Sequence, residues 1–413
     1  MNILVICNKS PWPPKEGGPI AMNAMVEGLL DAGHKVKVLA INSNKYAVDI
    51  ASIPEDYRRR TEIELVYIDL SIKIADAFRN LFSSGSYHVK RFISNNFEIA
   101  LRRILENDRY EIVQLETLFV TPYIPVIREL SEAKVILRAH NIEHLIWERL
   151  MTNEKNPIKK WYLRHLTVTL KEFETGVLKD LDGIVPITEK DAQFFRKKTS
   201  SEKIIAIPFG IKPLSNLSLN ENAKSGITIS SGERAIGESS TIFHLGSMNW
   251  LPNLEGMKWF LEKVWPILLQ KRSDIIFRIA GREMPEWIKN TGLSNVIVDG
   301  EVPDAYKYMQ DNRIMVVPLF SGSGIRIKII EGMMAGCAII TTTLGAEGIN
   351  YENKKHLIIA DNSLEFIQSI IELVDNPQKV NYLGNNAREF IQKSHNNNIL
   401  IKKLESFYES VLS

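Results

Sequence analysis

The stretch Ser321–Gly348 reads SGSGIRIKIIEGMMAGCAIITTTLGAEG. It begins as a loop of small residues, continues with apolar residues at helical spacing, and becomes a β-branched run after Gly336. The apolar run RIMVVPLF comes directly before the loop. A strand, a glycine-rich loop, a helix and a second strand in this order are typical of a parallel α/β sheet. The stretch therefore predicts a loop and a helix start at the carboxyl end of a buried strand.

The same loop carries the charges expected of an anion-binding site. The first N–H groups of a helix lack partners within the helix, and its dipole favours negative charge there. The pattern places Arg326 and Lys328 in the first turn, and Lys328 shares a helix face with Glu331. One arrangement puts Arg326 and the loop amides on a diphosphate, with Glu331 accepting hydrogen bonds from sugar hydroxyls. The alternative is a capped surface helix with a Lys328–Glu331 pair.

Outward from this stretch, two series of short apolar runs are separated by helical patterns. The first series is NILVIC, HKVKVLAI, ELVYI, IVQLE, KVILRAH, GIVPIT and IIAIPFG, and the second is TIFHLG, IIFRIAG, NVIVDGEV, RIMVVPLF, CAIITTT and HLIIA. One long helical pattern runs from about residue 142 to 181. Strands alternating with helices predict two doubly wound domains, with a ligand site in a cleft at the carboxyl ends of the strands.

A polar segment separates the two series. Residues 212–240 are rich in Ser, Asn, Gly and Glu and have weak apolar periodicity. We predict an N-terminal Rossmann-like domain over residues 1–212, a linker over 213–240 and a C-terminal Rossmann-like domain over 241–394. A last helix within 395–413 is expected to pack back on the first domain.

Composition narrows the class of protein. The 413 residues are 45% hydrophobic and 24% charged, as in soluble globular proteins, and a net charge of +2 does not indicate nucleic-acid binding. No apolar run approaches the roughly 20 residues that span a bilayer. The start MNILVICNKSPWPP has no basic segment or cleavage site, so no signal peptide is predicted. Cys7 and Cys337 are expected to be buried thiols in a reducing cytoplasm.

The stretch LFSGSGIRIKIIEGMMAGCAIITTTLGAEG resembles the donor-binding signature of the retaining nucleotide-sugar glycosyltransferases of family four. These enzymes have the GT-B fold, in which two Rossmann-like domains face each other across a cleft. The positions that match the signature are Glu331, Met333, Ala335, Gly336, Ile339 and Ile340. The resemblance extends to GGP at Gly17–Pro19, to LLDAGHKVKVLA, to IPFGI at Ile207–Ile211 and to VDGEVPD at Val298–Asp304.

Two departures from the family pattern concern the donor site. Ser323 stands where the family has the first Glu of a Glu-x7-Glu pair. The first loop of the second domain, GSMNWLPNLEG at Gly246–Gly256, lacks the usual Arg and Lys. We infer that Arg326 and Lys328 supply the missing positive charge from the other loop. The resulting Arg-x-Lys variant is similar to that of a subset of the family, and it indicates a subclass rather than an inactive protein.

The resemblance implies transfer of a sugar, with retention, from a UDP- or GDP-sugar to a glycan or lipid-linked acceptor in surface polysaccharide or glycoconjugate synthesis. It implies no metal and no cofactor. The first domain would bind the acceptor and the second the donor. The implied catalytic residues are His140, Arg326, Lys328 and Glu331. The implied donor contacts are Gly246, Ser247, Arg282, Val302, Ser323, Gly324, Ile325 and Glu331, and the implied acceptor contacts are Gly17 and Gly18.

His140 and His144 need separate consideration, since they are four residues apart in LRAHNIEHLIWERL. Zinc proteases place two such histidines on one helix in the order His-Glu-x-x-His. Here Glu143 is in the wrong place and His140 ends a strand, so metal binding is not predicted. A plain histidine at a strand end and an active-site role both stay open for His140. His34 and His244 are expected to be structural.

Two segments mix Lys and Arg with aromatic and aliphatic residues: KIADAFRNLFSSGSYHVKRF and NPIKKWYLRHLTVTLKEF. They are typical of ordinary amphipathic helices. The alternative is a peripheral membrane contact of the N-terminal domain. The expected location is the cytoplasm, with this contact at the inner face of the membrane.

Other functions stay open at this point. A sugar-nucleotide epimerase, a phosphorylase with a pyridoxal-phosphate lysine, and a non-catalytic GT-B partner subunit are all compatible with the fold. A dehydrogenase is disfavoured, since NKSPWPPKEGGP lacks the G-x-G-x-x-G pattern.

Overall fold

The structure is a computed structural model that describes residues 1–14, 17–71, 85–211, 240–322 and 324–413. The chain divides into two compact units. Unit 1 comprises Met1–Lys212 and His395–Ser413, and unit 2 comprises Pro213–Ser394. The predicted linker, 213–240, lies outside the described residues except for Ser240.

Unit 1 is built on a six-stranded parallel sheet. Its strands are β1 (Asn2–Cys7), β2 (Lys35–Ser43), β3 (Glu64–Ile68), β4 (Ile112–Glu116), β5 (Lys134–Ala139) and β6 (Gly183–Pro186). Its helices before the second unit are α1 (Gly17–Asp31), α2 (Glu55–Thr61), α3 (Tyr87–Lys90), α4 (Asn95–Asn107), α5 (Ile124–Leu130), α6 (Glu143–Asn153), α7 (Pro157–Gly176) and α8 (Glu189–Arg196). The strand order is β3-β2-β1-β4-β5-β6. The order reverses between β1 and β4, which is where doubly wound sheets bind ligands.

Unit 2 repeats this plan. Its strands are β7 (Thr241–Leu245), β8 (Ile276–Ala280), β9 (Val296–Gly300), β10 (Ile314–Val317), β11 (Ala338–Thr341) and β12 (Ile358–Ile359). Its helices are α9 (Leu251–Lys263), α10 (Trp265–Lys271), α11 (Glu286–Lys289), α12 (Ala305–Asn312), α13 (Ile327–Ala335), α14 (Ser363–Asp375) and α15 (Pro377–Ser394). The order β12-β11-β10-β7-β8-β9 reverses between β10 and β7.

The last helix, α16 (Asn397–Leu412), belongs to unit 1. Its buried residues Leu400, Leu404 and Tyr408 pack with β1 and β2 in one core cluster. Backbone hydrogen bonds between Ile211 and the residues flanking Asn396 attach the start of this helix to the end of the first chain segment.

The predicted fold class is confirmed, since both sheets are parallel, six-stranded and doubly wound. Cys7 and Cys337 are buried free thiols, as predicted. Among the described residues, no helix combines the length and apolar character needed to cross a bilayer.

Three local predictions were wrong. IIAIPFG is not a strand: it adds two backbone hydrogen bonds to β6, from Ile205 and Ile207, before Pro208 removes a donor. The long helical pattern is split into α6 and α7, because Pro157 starts a new helix with Asn156 as its N-cap. The glycines of GGP lie inside α1 rather than in a loop, since Pro19 is tolerated in a first helical turn.

Candidate active site

The loops after β7 and β10 meet where the strand order of unit 2 reverses. Gly246 follows β7, and the stretch Ser321–Gly348 follows β10. In a parallel sheet all carboxyl ends lie at one edge, so both loops occupy the position at which such sheets bind ligands.

Lys328 projects from the second position of α13 toward the loop after β7. Its Nζ lies 2.5 Å from Oδ1 of Asn253, whose Nδ2 donates to the Ser247 carbonyl at 2.7 Å. A Cβ on Gly246 would lie 2.9 Å from both the Lys328 Nζ and the Asn253 Nδ2, so a larger residue here would displace this pair. Lys328 thus joins the two loops, and its contact with Asn253 leaves its charge uncompensated, because an amide is neutral.

Arg326 is the N-cap of α13 and is only 4% exposed. The sequence pattern placed it in the first turn, but the helix begins one residue later. An arginine has only donors and cannot accept from the free N–H groups of the helix. Its guanidinium lies 5.5 Å from the ring centroid of Trp250 and donates to the Gly324 carbonyl. The N-terminus of α13 therefore combines helix N–H groups with two cationic side chains.

Glu331 lies one turn after Arg326 and Lys328 and is partly buried. Burial raises the pKa of Glu331 to about 7. Burial, and then the nearby Arg326 charge, lower the pKa of Lys328 to about 7. Both shifts reflect poor solvation, a setting in which charged ligands interact more strongly than in water.

The far end of α13 is also fixed. Gly336 follows the helix at φ +82°, a conformation that favours glycine. Arg388 of α15 donates to the carbonyls of Met334 and Ala335. A cation at the carboxyl terminus complements the helix dipole, so α13 is held at the end opposite to the candidate site.

The remaining predicted donor-binding residues that the structure describes lie at the same edge of the sheet. Ser247 follows Gly246, and Arg282 follows β8, where its carbonyl accepts from the Met248 N–H at 2.9 Å. Val302 follows β9, and Gly324 and Ile325 precede the helix. Ser323 lies outside the described residues. Hydrogen bonding therefore joins the loops after β7 and β8. Val302 is placed at this edge only by its position after β9.

In unit 1, His140 follows β5 at the carboxyl edge of the sheet. Its Nε2 lies 2.6 Å from Oε2 of Glu116, the last residue of β4. The side chain of Glu116 is fully buried, whereas the side chain of His140 is 10% exposed. One nitrogen of His140 is therefore held by the fold, and the ring still reaches the surface.

His144 is held by a different carboxylate. Its Nδ1 lies 2.5 Å from Oε2 of Glu174, which also accepts from the backbone N–H groups of Glu143 and His144 at the start of α6. Burial and then the Glu174 charge raise the pKa of Glu143 to about 8. Across the described residues, no group of three or more His, Cys, Asp or Glu side chains has a metal-binding arrangement.

The predicted acceptor residues Gly17 and Gly18 begin α1 after β1. They lie at the same sheet edge as His140, with β4 between their strands. A Cβ on Gly18 would lie 2.8 Å from Cε of Lys9, so this glycine permits close packing of the preceding loop.

Sequence reasoning missed four residues that build these sites: Asn253, Trp250, Glu116 and Arg138. Trp250 and Asn253 lie at the start of α9, in a stretch whose lack of Arg and Lys is its most obvious sequence feature. Glu116 and Arg138 carried a signal, because each is a charged residue in a mostly apolar strand run. The two histidines expected to be structural are placed accordingly: His34 pairs with Glu405, and buried His244 bonds the Val316 carbonyl.

These two units define an α/β protein with the GT-B fold of two Rossmann-like domains. Residues 239–376 match the family described as glycosyl transferases group 1. The chain is 22% identical over 403 residues to an uncharacterised 44.6 kDa protein in the cps region of Klebsiella pneumoniae. This alignment covers 95% of this chain and 96% of that protein.

Two solved structures are similar over nearly the whole chain. HepE of Anabaena, in complex with UDP, is 12% identical with a TM-score of 0.66, covering 99% of this chain and 100% of that chain. WaaG, a glycosyltransferase involved in lipopolysaccharide biosynthesis, is 14% identical with a TM-score of 0.63, covering 98% and 99%. At these identities the similarity establishes the fold.

Proposed function

We propose that the protein is a retaining glycosyltransferase that moves a sugar from a nucleoside diphosphate donor to a glycan or lipid-linked acceptor in surface polysaccharide synthesis. The observation that carries this proposal is the N-terminus of α13. There, Arg326, Lys328 and the helix N–H groups converge at the point where the strand order of unit 2 reverses.

The leaving group of this reaction is a nucleoside diphosphate, which gains negative charge as the bond to the sugar breaks. Arg326 offers a planar fork that fits two phosphate oxygens, and Lys328 a compact charge. Helix N–H groups add fixed dipoles that need no reorganisation during the reaction. These groups stabilise the departing diphosphate without a metal ion.

Glu331 and His140 are the other two residues to which we assign a role in the reaction. Glu331, one turn into α13, accepts hydrogen bonds from the donor ribose hydroxyls, and this favours its ionised form. His140 contacts the donor sugar or the leaving phosphate. The reaction proceeds as a front-face displacement, a mechanism taken from the family resemblance.

The comparisons support the class of reaction. The match to the glycosyl transferases group 1 family covers most of unit 2. The similar structure of HepE contains UDP. The Klebsiella pneumoniae relative, which aligns with most of the chain, is a protein of a cps (capsule) region. Together they favour a nucleotide-sugar donor and a polysaccharide product.

Ligand binding and turnover test the proposal in sequence. UDP and GDP are first screened for thermal stabilisation, since a ligand at 100 Kd adds about 2.7 kcal/mol. UDP- and GDP-sugars are then assayed for nucleotide release. We expect one nucleotide to bind and its sugars to be hydrolysed slowly without acceptor. Binding without any nucleotide release would instead favour a non-catalytic subunit, and a visible-edge absorbance from pyridoxal phosphate would favour a phosphorylase.

We further propose a peripheral membrane contact through α7. Its residues Ile158, Trp161 and Val168 are exposed on one face, Trp161 by 61%. The flanking cations are Lys155, Lys159, Lys160 and Arg164, and no acidic residue occurs from position 155 to 171. An apolar stripe beside cations fits an anionic bilayer surface. Of the other segment considered for this role, residues 73–84 lie outside the described residues.

Co-sedimentation with vesicles tests this contact. We expect binding to vesicles that contain phosphatidylglycerol and weaker binding to phosphatidylcholine alone. Trp161→Ala should reduce binding, whereas Ile99→Ala, at a similarly exposed apolar position on α4, should not. Equal sedimentation of wild type and Trp161→Ala would contradict the assignment.

A further inference from the structure

A row of buried polar side chains crosses the face of the unit 1 sheet that α16 covers. Gln114 and Glu116 on β4 and Arg138 on β5 are 0–1% exposed. Tyr408 reaches them from α16 and is also fully buried. Buried polar groups weaken a core unless they are paired, so a row of this kind needs an explanation.

Hydrogen bonds connect this row from Tyr408 through Gln114 and Glu116 to His140. The Tyr408 hydroxyl donates to Oε1 of Gln114, which orients the amide. Nε2 of Gln114 then donates to Oε1 of Glu116 at 2.5 Å, and Oε2 of Glu116 lies 2.6 Å from Nε2 of His140. Each oxygen of the carboxylate therefore has its own donor.

Arg138 balances the charge of Glu116. Its Nε lies 3.6 Å from Oε2 of Glu116, too far for a strong hydrogen bond but close for an ion pair. Within the part of the chain that the structure describes, no hydrogen bond of the Arg138 side chain is formed. Burial lowers the pKa of Arg138, and the Glu116 charge opposes that shift. The guanidinium thus acts on Glu116 as a buried counter-charge.

The backbone next to Glu116 is strained. Thr117 has φ +87°, a conformation that is unfavourable for a β-branched residue, and its N–H donates to the Arg138 carbonyl at 3.1 Å. Strain of this kind persists where the surrounding structure enforces it, and it clusters at functional sites. Here it lies at the carboxyl end of β4, between Glu116 and the sheet edge.

We propose that Glu116 is a positioning residue for His140, with Arg138 as its counter-charge and Gln114 and Tyr408 as the groups that set its orientation. The carboxylate accepts a hydrogen bond from Nε2–H of His140. Nδ1, which makes no hydrogen bond to any described residue, is therefore the nitrogen presented to substrate. This inference rests on the proposed function, since it assigns His140 a substrate contact.

Glu116→Gln tests the assignment, because the neighbouring groups dictate how the new amide must sit. Gln114 still donates to the atom at Oε1, so the amide oxygen takes that place and the NH₂ group faces His140. Nε2 of His140 must then accept, and the proton moves to Nδ1. Nitrogen-15 NMR of histidine-labelled protein without substrate reports this change, with His140→Gln identifying the signals.

We expect Nε2 of His140 to be protonated in the wild type and unprotonated in Glu116→Gln. We also expect kcat to fall about 10- to 100-fold, because His140 is assigned a contact with the donor sugar or the leaving phosphate. Glu174→Gln is the matched control: it alters the pair with His144 and should leave the His140 signals and kcat within twofold of wild type.

Tyr408→Phe provides a milder variant if Glu116→Gln does not fold. Without the hydroxyl the Gln114 amide is free to rotate, so a mixture of His140 tautomers and a several-fold lower kcat are expected. A protonated Nε2 and an unchanged kcat in folded Glu116→Gln would overturn the assignment. A wild type without transferase activity would overturn the proposed function instead, and the tautomers would still decide whether Glu116 positions His140.

Discussion

The two sheets have the same strand order but place their buried cations differently where that order reverses. In unit 2, Arg326 and Lys328 stand at the start of α13, beyond the carboxyl ends of the strands. In unit 1, Arg138 lies within β5, fully buried and beside the Glu116 carboxylate. Lys328, in contrast, forms no ion pair among the described residues and bonds a neutral amide.

This difference separates two uses of a cation. A cation that already has an anionic partner gains little from a second anion, so Arg138 is suited to hold the charge of Glu116 in place. A cation bonded to neutral groups at a helix N-terminus gains from a bound diphosphate. The two sheets share one strand order, but their cations predict ligand binding at the edge of unit 2 and side-chain positioning at the edge of unit 1.

The strongest test of this division removes one residue from each edge. Glu331→Ala and His140→Ala should each lower kcat/KM by about 100-fold or more, since each is assigned a direct substrate contact. The losses should differ in kind. Glu331→Ala should weaken UDP binding as well as turnover, whereas His140→Ala should lower kcat and should weaken UDP binding only if His140 contacts the leaving phosphate. Steady-state kinetics and UDP calorimetry measure both.

Circular dichroism and thermal melts of both variants show whether the fold is intact. Glu331→Gln and His140→Gln keep the side-chain size and serve as milder forms. If both alanine variants fold and retain near wild-type kcat/KM with donor and acceptor, the site assignment is wrong.

The next largest effect is expected for Arg326. Hydrogen bonds to charged groups contribute roughly 1.5–3 kcal/mol, so Arg326→Ala should weaken nucleoside diphosphate binding by about one to two decades. It should lower kcat at least as much, because the leaving group gains charge in the transition state. Arg326→Lys should restore part of both losses. Calorimetry that gives an unchanged affinity, together with a small drop in Tm, would leave Arg326 a purely structural N-cap.

Most of the fold could be predicted from the sequence, because buried parallel strands are short, β-branched and regularly spaced by helices. ELVYI and IVQLE coincide with β3 and β4 residue for residue. IIAIPFG is also a short apolar run, but it lies at the edge of the sheet beside β6 and contains a proline. It therefore makes only two backbone hydrogen bonds to β6 and does not form a strand. Composition alone does not distinguish an edge segment from a strand.

The sites could be predicted only where their residues are neighbours in sequence. Arg326, Lys328 and Glu331 lie within six consecutive residues and signalled an anion site. Asn253 and Lys328 are 75 residues apart, and Glu116 and His140 are 24 apart at the ends of adjacent strands. Their contacts depend on the strand order, which a single sequence does not specify.

A smaller effect concerns protons taken up at Lys328. Burial and Arg326 lower the pKa of Lys328 to about 7, so at pH 8 the amine is mostly neutral before ligand binds. A diphosphate favours the ammonium form and raises its pKa. Binding at pH 8 should therefore take up close to one proton, and affinity should fall as pH rises above 7. UDP calorimetry in two buffers of different ionisation enthalpy measures the uptake.

The choice of pH 8 isolates Lys328. The terminal phosphate, with a second pKa of about 6, is already ionised there, and Glu331, with a pKa of about 7, is mostly ionised too. Lys328→Met should abolish the buffer dependence. The same proton uptake in this variant would assign the linkage to another group.

The smallest expected effect is that of removing divalent metal ions. In the proposed site the cations of unit 2 perform the task that Mg²⁺ performs in many phosphate-binding sites, so a metal would compete with Arg326 and Lys328 for the same oxygens. Transferase activity in excess EDTA should equal that in the presence of Mg²⁺. Arg326→Ala sharpens the test, because a site that has lost a cation gains most from an added one, and Mg²⁺ should partly restore its nucleotide binding. Complete loss of wild-type activity in EDTA, reversed by adding metal back, would show that Arg326 and Lys328 are not sufficient and that the edge of unit 2 needs a metal ion to hold the diphosphate.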